Sequence, residues 1–494
     1  MKKLADGWLK RLSIFEKVLI GFFVLSLPFS NAWVRGDGVG YYAFARSLLI
    51  EHRLDFTRDW LQANPSFQMN RVDANGQIRP EQYTETGHLN NHFAVGPAIL
   101  WFPALLAVDA GVLLYDYFGG SVAADGFSRP YLVAMGSATA LYGFLALFIA
   151  FRLARKYVGE QWAFLATLGI WLASSLPVYM YLNPSWAHAL SAFSVALFLW
   201  YWDRTREARS TGQSPGQSLG QWMILGLLGG LMMDVYYLNV TLLVFPAMDL
   251  LELAHAERKP SERAAVGSAV SGTIALLGMV FVGFLPTLIT KKIVYGSFFN
   301  FGYVERWFWY SPALLKACFS SEHGLFSWTP LLLFSFGGLF LLRRYDREFA
   351  MRAVLGFLAF LYLLGCYQDW HGVSSFGSRF FVSLTPLFVI GLAAFFGVLA
   401  NLLRGQRAFA LAGSMVAIFA LWNAGLMFQW GTHLIPARGP ISWRTAAHNQ
   451  LAVVPAEAGG VVKAYFSGRS ALMNRIEQED VQQLKSQTGS GEKQ

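Results

Sequence analysis

FAVGPAILWFPALLAVDAGVLLYDYF, residues 93–118, is the stretch on which the fold of this chain turns. It is long and apolar enough to cross a bilayer, yet it carries Asp109 and Asp116, each costing a few kcal/mol at mid-bilayer. Around it, apolar blocks lie near 18–34, 130–151, 161–181, 186–202, 219–233, 238–253, 265–290, 325–342, 350–367, 380–400 and 408–428. Cations collect in alternate connections: Lys2, Lys3, Lys10, Arg11 and Lys17; Arg152, Arg155 and Lys156; Arg204, Arg206 and Arg209; Arg258, Lys259 and Arg263; Arg343, Arg344, Arg347 and Arg352; Arg404 and Arg407. The turns at 182–186 and 234–238 carry none. This sorting obeys the positive-inside rule if 93–118 does not cross, and inverts it if 93–118 does. The sequence therefore predicts that 93–118 is an interfacial or re-entrant element of a long outer loop, 35–129. About eleven transmembrane helices follow from that reading, with the N-terminus inside and the tail from 429 outside.

Composition agrees. Of 494 residues, 55% are hydrophobic, 16% aromatic and only 14% charged, against roughly 25% charged in soluble domains. An all-α polytopic membrane protein is expected, and a string of soluble domains is excluded. The net charge of +9 then reflects cytoplasmic Lys and Arg and calls for no nucleic-acid partner. Two cysteines rule out a disulfide scaffold; Cys318 and Cys366 both fall toward the outer side and read as packed thiols. No Walker loop or Gly-rich dinucleotide fingerprint follows a strand. The first block competes with a signal peptide, but it exceeds the 7–15 residue core of one. It is therefore taken as an uncleaved span. No internal repeat is visible, which counts against an inverted-repeat transporter.

Polar residues with chemical potential gather on the outer side. Tyr41, Phe44, Ala45 and Leu48 recur at helical spacing, as in an amphipathic helix lying on the membrane. Residues 52–92 are polar and broken by Pro65, Gly76, Pro80 and Gly87. A second outer loop, 291–324, is rich in aromatics, which alone would suit an interfacial belt. Asp37 follows the first span in Arg35-Gly36-Asp37-Gly38. A carboxylate there has lowered solvation and can serve as a base; the plainer alternative is a helix-end Asp pairing with Arg35 or capping the next helix. His88 and His92 have the spacing of helical metal ligands, but Gly87, Asn90 and Asn91 make a poor helix, and ordinary loop histidines are expected. His188 opens a span, where a titratable group is a functional candidate. Lys291, Lys292 and Arg379 are outward cations suited to a lipid-linked phosphate. Arg379 follows a Gly/Ser stretch, 372–378, that leaves room for a headgroup and supplies N–H donors.

Taken together, Gly36-Asp37 after the first span, Tyr41-Tyr42, Gly96-Pro97 with its apolar element, His323-Gly324-Leu325-Phe326 with Pro330-Leu331-Leu332, and Ser375-Phe376-Gly377-Ser378-Arg379 resemble the bacterial GT-C glycosyltransferases. The branch most alike holds the protein O-mannosyltransferases and the aminoarabinose transferase of lipid A. The resemblance covers about residues 15–400 and implies a GT-C-like bundle, 1–428, with interfacial helices in the first outer loop and a tail, 429–494, whose end is disordered. It implies an enzyme of cell-envelope glycosylation in the bacterial inner (plasma) membrane. Such an enzyme moves a sugar from a polyprenyl-phosphate-linked donor to a hydroxyl on a lipid, glycan or protein acceptor at the periplasmic face, with inversion. Asp37 would be the base, with Arg379, Lys292 and Lys291 on the donor phosphate. His188, His92, Glu85, Tyr41, Tyr303, His323 and His371 would line the substrate pocket. No cofactor is required, and a divalent metal is not favoured. The chain departs from the family in two places. Gly38 follows Asp37 where protein O-mannosyltransferases have a second acid, and His188 stands where several relatives carry an acidic residue between the third and fourth spans. Segments 38–50 and 93–118 would admit the isoprenoid sideways. The rivals are a lipid-linked-sugar flippase, which would recruit Asp109, Asp116 and Asp234, and a non-catalytic subunit of a membrane complex.

Overall fold

The computed structural model describes residues 12–211, 215–256, 266–303, 305–403 and 405–491; its regular structure is helical, with isolated β-bridges such as Val72–Ile78. Lys2, Lys3, Lys10, Arg11, Arg258, Lys259, Arg263 and Arg404 lie outside the described residues. The helices of ten or more residues are α1 (Ile14–Ser26), α2 (Asp37–Arg46), α3 (Gly96–Tyr117), α4 (Arg129–Ala154), α5 (Glu160–Leu172), α6 (His188–Thr211), α7 (Pro215–Val235), α8 (Val244–Ala256), α9 (Val266–Tyr295), α10 (Leu331–Leu341), α11 (Arg347–Cys366), α12 (Thr385–Leu403), α13 (Gly405–Gly431), α14 (Val454–Ser467) and α15 (Arg469–Gly491).

Eight helical stretches among the described residues are long and apolar enough to cross a membrane: α3, α4, α7, α9, α11, α13, and α8 and α12 with the turns that lead into them. The protein is an all-α integral membrane protein. The remaining segments expected to span are shorter or interrupted. After α1 the chain tightens into a 3₁₀ turn at Leu27–Phe29, containing Pro28. After α5, Ser174 turns its hydroxyl back to the Ile170 carbonyl (2.6 Å) and accepts from the Leu176 amide (3.2 Å), and the chain resumes as a π turn at Val178–Leu182. Local side-chain bonds of this kind compete with the helical ladder. The C-terminal half of α6 carries Asp203, Arg204, Arg206, Glu207 and Arg209, and α10 has only 11 residues.

Segment 93–118 holds one continuous 22-residue helix, α3, rather than a broken re-entrant element. Its partners on α4 run in reverse order. Tyr142 donates to the Leu100 carbonyl (3.0 Å), Trp101 to the Thr139 hydroxyl (2.8 Å) and Tyr131 to Asp109 (2.5 Å). From Leu100 to Asp109, α3 therefore climbs from the middle of α4 toward Arg129, away from the other end of α4, where Arg152 pairs with Glu16 (2.7 Å). It does not reach that end.

The amphipathic surface helix expected after Asp37 is instead buried: every residue from Gly38 to Arg46 lies inside. Arg46 is the reason it tolerates burial. Its guanidinium makes a two-pronged bond to Asp59 (2.7 and 2.6 Å) and a third to Glu51 (2.8 Å), the fork geometry that offsets desolvation of a buried arginine. The cations Arg206, Arg209 and Arg352 are likewise engaged, by Asp346, Asp249 and Glu252. Cys318 and Cys366 are free thiols, both buried. Most of the tail is helical, in α14 and α15; its last residues, 492–494, where disorder is expected, lie outside the described residues.

Helices meet at small residues. A Cβ on Gly338 of α10 would sit 1.8 Å from the Gly391 carbonyl oxygen of α12, whereas one on Gly337 would meet nothing within 4 Å. Close backbone approach of this sort drives helix association in lipid. Gly338→Leu is thus expected to destabilise the protein by roughly 1–3 kcal/mol, as overpacking does, and to lower its melting midpoint in detergent, while Gly337→Leu leaves the midpoint in place. Equal midpoints for the two variants would refute the contact.

Candidate functional site

Asp37 is the first residue of α2, where the helix N-terminus favours a negative charge. It follows Gly36, whose φ of +52° is a conformation side chains strain to adopt, and a Cβ there would press to 3.1 Å from the Trp186 ring. A Cβ at Gly38 would fall 2.0 Å from the Ser185 hydroxyl, so its absence lets α2 press on the turn at 183–186. The same turn receives residues 31–35: the Asn31 amide donates to the Tyr181 carbonyl (2.7 Å), Trp33 to the Leu182 carbonyl (2.8 Å), and Trp186 to the Arg35 carbonyl (3.0 Å).

Arg379 arrives from the far end of the chain. Its loop is shaped by Gly372 and Gly377, at φ +74° and +55°. Four of the loop's amides are engaged. Gly372 donates to the Asp369 carbonyl (2.8 Å), Val373 to His371 Nδ1 (3.1 Å), Phe376 to the Tyr179 hydroxyl (3.1 Å) and Arg379 to the Gly377 carbonyl (3.0 Å). What the loop delivers is the guanidinium. It lies over the Trp186 ring at 4.5 Å and places Nη1 2.7 Å from the Asp37 carboxylate, while its Nε has no partner.

This ion pair forms part of the wall of a cavity of about 810 Å³, within the range of ligand pockets. Tyr41, His92, His188 and Tyr303 line it too. His188 is buried among Tyr179, Trp186, Tyr236 and Phe380, and its Nδ1 has no partner. His92 packs against Tyr303; burial, reinforced by Lys291 and Arg71 and partly offset by Asp37, pushes it down to about 4, so it is neutral at pH 7. Burial likewise lifts the Tyr41 and Tyr303 phenols well above their ordinary range.

Other residues expected at the site lie outside the cavity. Lys291 is buried, donating to the Asn91 and Phe93 carbonyls (3.2 and 3.0 Å), and Lys292 caps the Gly296 carbonyl (2.7 Å). The α9 helix carries both lysines past the cavity, and backbone oxygens absorb their charge. Glu85 is exposed at a turn. His323 is buried with Nδ1 donating to the His371 carbonyl (2.8 Å), and burial brings it down to about 4. His371 faces Glu322 at 3.5 Å, beside rather than in the wall. His88 bonds Thr86 (3.1 Å), and among the described residues no three His, Cys, Asp or Glu side chains are grouped as metal ligands.

Sequence reasoning missed several wall residues: Arg71, Arg438, Trp186, Tyr236, Tyr237, Glu305, Tyr367 and Asp369. It missed above all the apolar half, where Phe29, Met427 and Phe428 meet Val461, Val462, Tyr465, Phe466 and Leu472 of the tail. Tail helices are pinned there by polar bonds. Arg35 pairs with Glu477 (3.3 Å) and Asp480, Glu477 also accepts from Asn64 (2.8 Å), and Arg469 donates to the Ser30 carbonyl (2.6 Å). Only the amphipathic patterning of 454–484 was available as a signal, and it does not say which surface it covers.

No protein-family model matches the chain, and no curated protein sequence matches it. Among solved structures, the chain is similar to the oligosaccharyltransferase of Archaeoglobus fulgidus in its apo form: 14% identity, TM-score 0.44, covering 90% of this chain and 56% of that one. It is also similar to the same archaeon's AglB in complex with an inhibitory peptide and a dolichol-phosphate (13% identity, TM-score 0.43, 95% and 56% covered). A third likeness is to the arabinosyltransferase EmbB of Mycobacterium smegmatis (12% identity, TM-score 0.41, 95% and 42% covered). The chain spans about half the length of these proteins.

His433 makes the tail's docking depend on pH. It sits between Glu479 (2.9 Å) and Asp480 (2.8 Å). Burial lowers its pKa, but the bonds and charges of the two carboxylates outweigh that and raise it above the ordinary value. A raised histidine stabilises fully below its unfolded pKa and loses the contribution as pH climbs through the folded one. The parent should therefore melt above His433→Gln at pH 6, and the gap should close by pH 9; a gap constant across that range would reject the assignment.

Proposed function

We propose that this protein is a glycosyltransferase that transfers a sugar from a polyprenyl-phosphate-linked donor to an acceptor hydroxyl at the outer face of the bacterial inner membrane. One observation carries the proposal: a carboxylate–guanidinium pair, Asp37–Arg379, in the wall of a cavity that is charged on one side and lined by Phe29, Phe428, Val462 and Phe466 on the other. Such a two-sided cavity fits an amphiphile with an anionic head and an isoprenoid tail. The tail would enter beside Phe29 and Phe466, both about half exposed, rather than past 38–47, which is buried.

The chemistry is a single displacement. The acceptor oxygen attacks the anomeric carbon, the bond from that carbon to the phosphate oxygen breaks, and the electron pair leaves with the lipid phosphate. The acceptor's proton passes to Asp37, and the anomeric centre inverts. Charge grows on the departing phosphate, so a fixed cation stabilises the transition state more than the ground state. Arg379 supplies that cation, with an unpartnered Nε still to donate, and no metal ion is called for. A phosphate that draws Arg379 toward itself also loosens its hold on Asp37, leaving the carboxylate to take a proton. His188 and the Tyr41, Tyr236 and Tyr303 phenols supply aromatic faces and polar edges for a sugar ring. In the topology that goes with this proposal, the N-terminus is cytoplasmic and the C-terminus periplasmic. The acceptor is a lipid, a glycan or a protein.

The test has two parts. Protein purified with native lipids should carry a polyprenyl-linked sugar identifiable by mass spectrometry. With that donor, Asp37→Asn should lower turnover by about 10²-fold or more, the usual contribution of a placed base. Arg379→Lys, which keeps the charge but loses the fork, should fall by less than Arg379→Gln. Undiminished turnover by Asp37→Asn would remove the mechanism.

A further inference from the structure

Tyr303, Glu305, Trp307 and Trp309 alternate along the aromatic second outer loop. The first three line the cavity. Trp309 carries the row beyond it, stacking on Trp307 with ring centroids 5.3 Å and planes 13° apart. The end of α11 holds the loop in this position. Phe308 donates to the Cys366 carbonyl (2.6 Å), Gln368 to the Arg306 carbonyl (3.0 Å) and the Tyr362 hydroxyl to the Trp309 carbonyl (2.8 Å). These bonds set Trp307 opposite Tyr367 in an antiparallel bridge, where facing side chains lie close, and the two rings meet at 5.3 Å. Tyr367 in turn meets Tyr303 (6.4 Å), and Tyr303 meets His92 (5.0 Å). A row of touching rings thus runs from His92 in the cavity wall to Trp309 outside it. Asp369, two residues past Tyr367, lines the cavity as Glu305 does. The tail helices contribute nothing to this row, so it is a separate approach from the apolar wall.

We infer that this row is the track on which the acceptor binds, and that the acceptor is an oligosaccharide. The inference rests on the transferase proposal and selects one acceptor class from lipid, glycan and protein. Its physical basis is the combination of ring faces with carboxylates. A pyranose presents C–H groups on one face, which pack on the electron-rich face of an aromatic ring. Its hydroxyls lie along the edge and donate strongly to carboxylates. Trp307 and Trp309 are 38% and 48% exposed, and large apolar surfaces left uncovered in this way mark interaction sites. A bilayer surface is the competing occupant of exposed Trp and Tyr. Glu305 and Asp369 in the same rim oppose it, because carboxylates and anionic headgroups repel. The row extends one ring beyond the cavity, so it offers more platform than a single sugar covers and suits a chain of them. The donor's isoprenoid takes the tail side, and the acceptor arrives along a different wall.

Binding is read without catalysis, so its outcome is separate from that of the transferase proposal. Full-length protein in phosphatidylcholine nanodiscs is immobilised and exposed to oligosaccharides released by mild acid from the envelope of the cells that make it, labelled at the reducing end. The parent should retain chains of several sugars and release the monosaccharides of a fully hydrolysed pool. Trp309→Ala should weaken retention by about tenfold, the upper end of what one aromatic contact contributes. Trp309→Tyr should recover most of it, with both variants melting where the parent does. Asp369→Asn, which leaves every ring in place, should weaken retention too, and it decides the matter if Trp309→Ala melts early. No retention by the parent, or retention that Trp309→Ala and Asp369→Asn leave unaltered, overturns the track. So does capture of phosphatidylglycerol vesicles, or of peptides from an envelope digest, in place of glycans. In the transfer assay, Trp309→Ala should raise KM for the acceptor and leave KM for the lipid-linked donor where it was; a rise confined to the donor would overturn the assignment. Glycan retention by a protein that transfers nothing from a polyprenyl-linked donor would sink the transferase proposal alone.

Discussion

The bond between Asp37 and Arg379 is the constraint on which the site depends. It joins the first helix past α1 to a loop near the far end of the chain, so the cavity exists only once most of the bundle is assembled. Asp37 remains about one third exposed, and the arginine is largely covered. Trp186 holds the pair from beneath, stacking on the guanidinium while its indole N–H fixes the Arg35 carbonyl. Three separate segments, 31–38, 183–188 and 372–380, are thereby locked to one another. Because the charges neutralise each other at rest, the site can sit at a lipid boundary without an exposed cation drawing in every anionic headgroup.

What was legible in the sequence followed from single-residue costs. Acids are expensive in lipid, and Asp109 is bonded by Tyr131, near the Arg129 end of α4. Apolar runs located the helices. Gly36 and Asp37 together announced a turn with a carboxylate on it. Illegible features were those set by pairs. Nothing local to α2 says that Arg46 has Asp59 and Glu51 waiting, so its apolar spacing resembled a surface helix when it belonged to a core. Lys291 and Lys292 looked like free outer cations because their acceptors are backbone carbonyls, which leave no signature in composition. Arg71 and Arg438, in unremarkable polar stretches, reach the cavity wall only through tertiary structure.

The tail shows the same limit from the other direction. Its polar composition suggested a solvated end, yet Glu477, Glu479 and Asp480 are spent on Asn64, His433 and Arg35, and its apolar stripe forms the lipid-like half of the cavity. A helix that is polar on one face can be read as surface from sequence, but whether the other face covers a bundle or a ligand is decided by what the bundle leaves open.

That division of labour bears on how one cavity serves two solvents. On the transferase proposal, an isoprenoid chain would gain nothing by moving from lipid into an apolar protein groove, since the two are alike in polarity, so the tail wall would need only to be complementary enough not to exclude it. Discrimination must then come from the charged wall, where desolvated partners make a missing contact costly. Arg379, Asp37 and His188 are carried by the bundle, whereas the apolar wall is completed by tail helices pinned through Arg35 and His433. A charged wall from the bundle and an apolar wall from the tail are the two surfaces that the proposed transfer would require of one cavity.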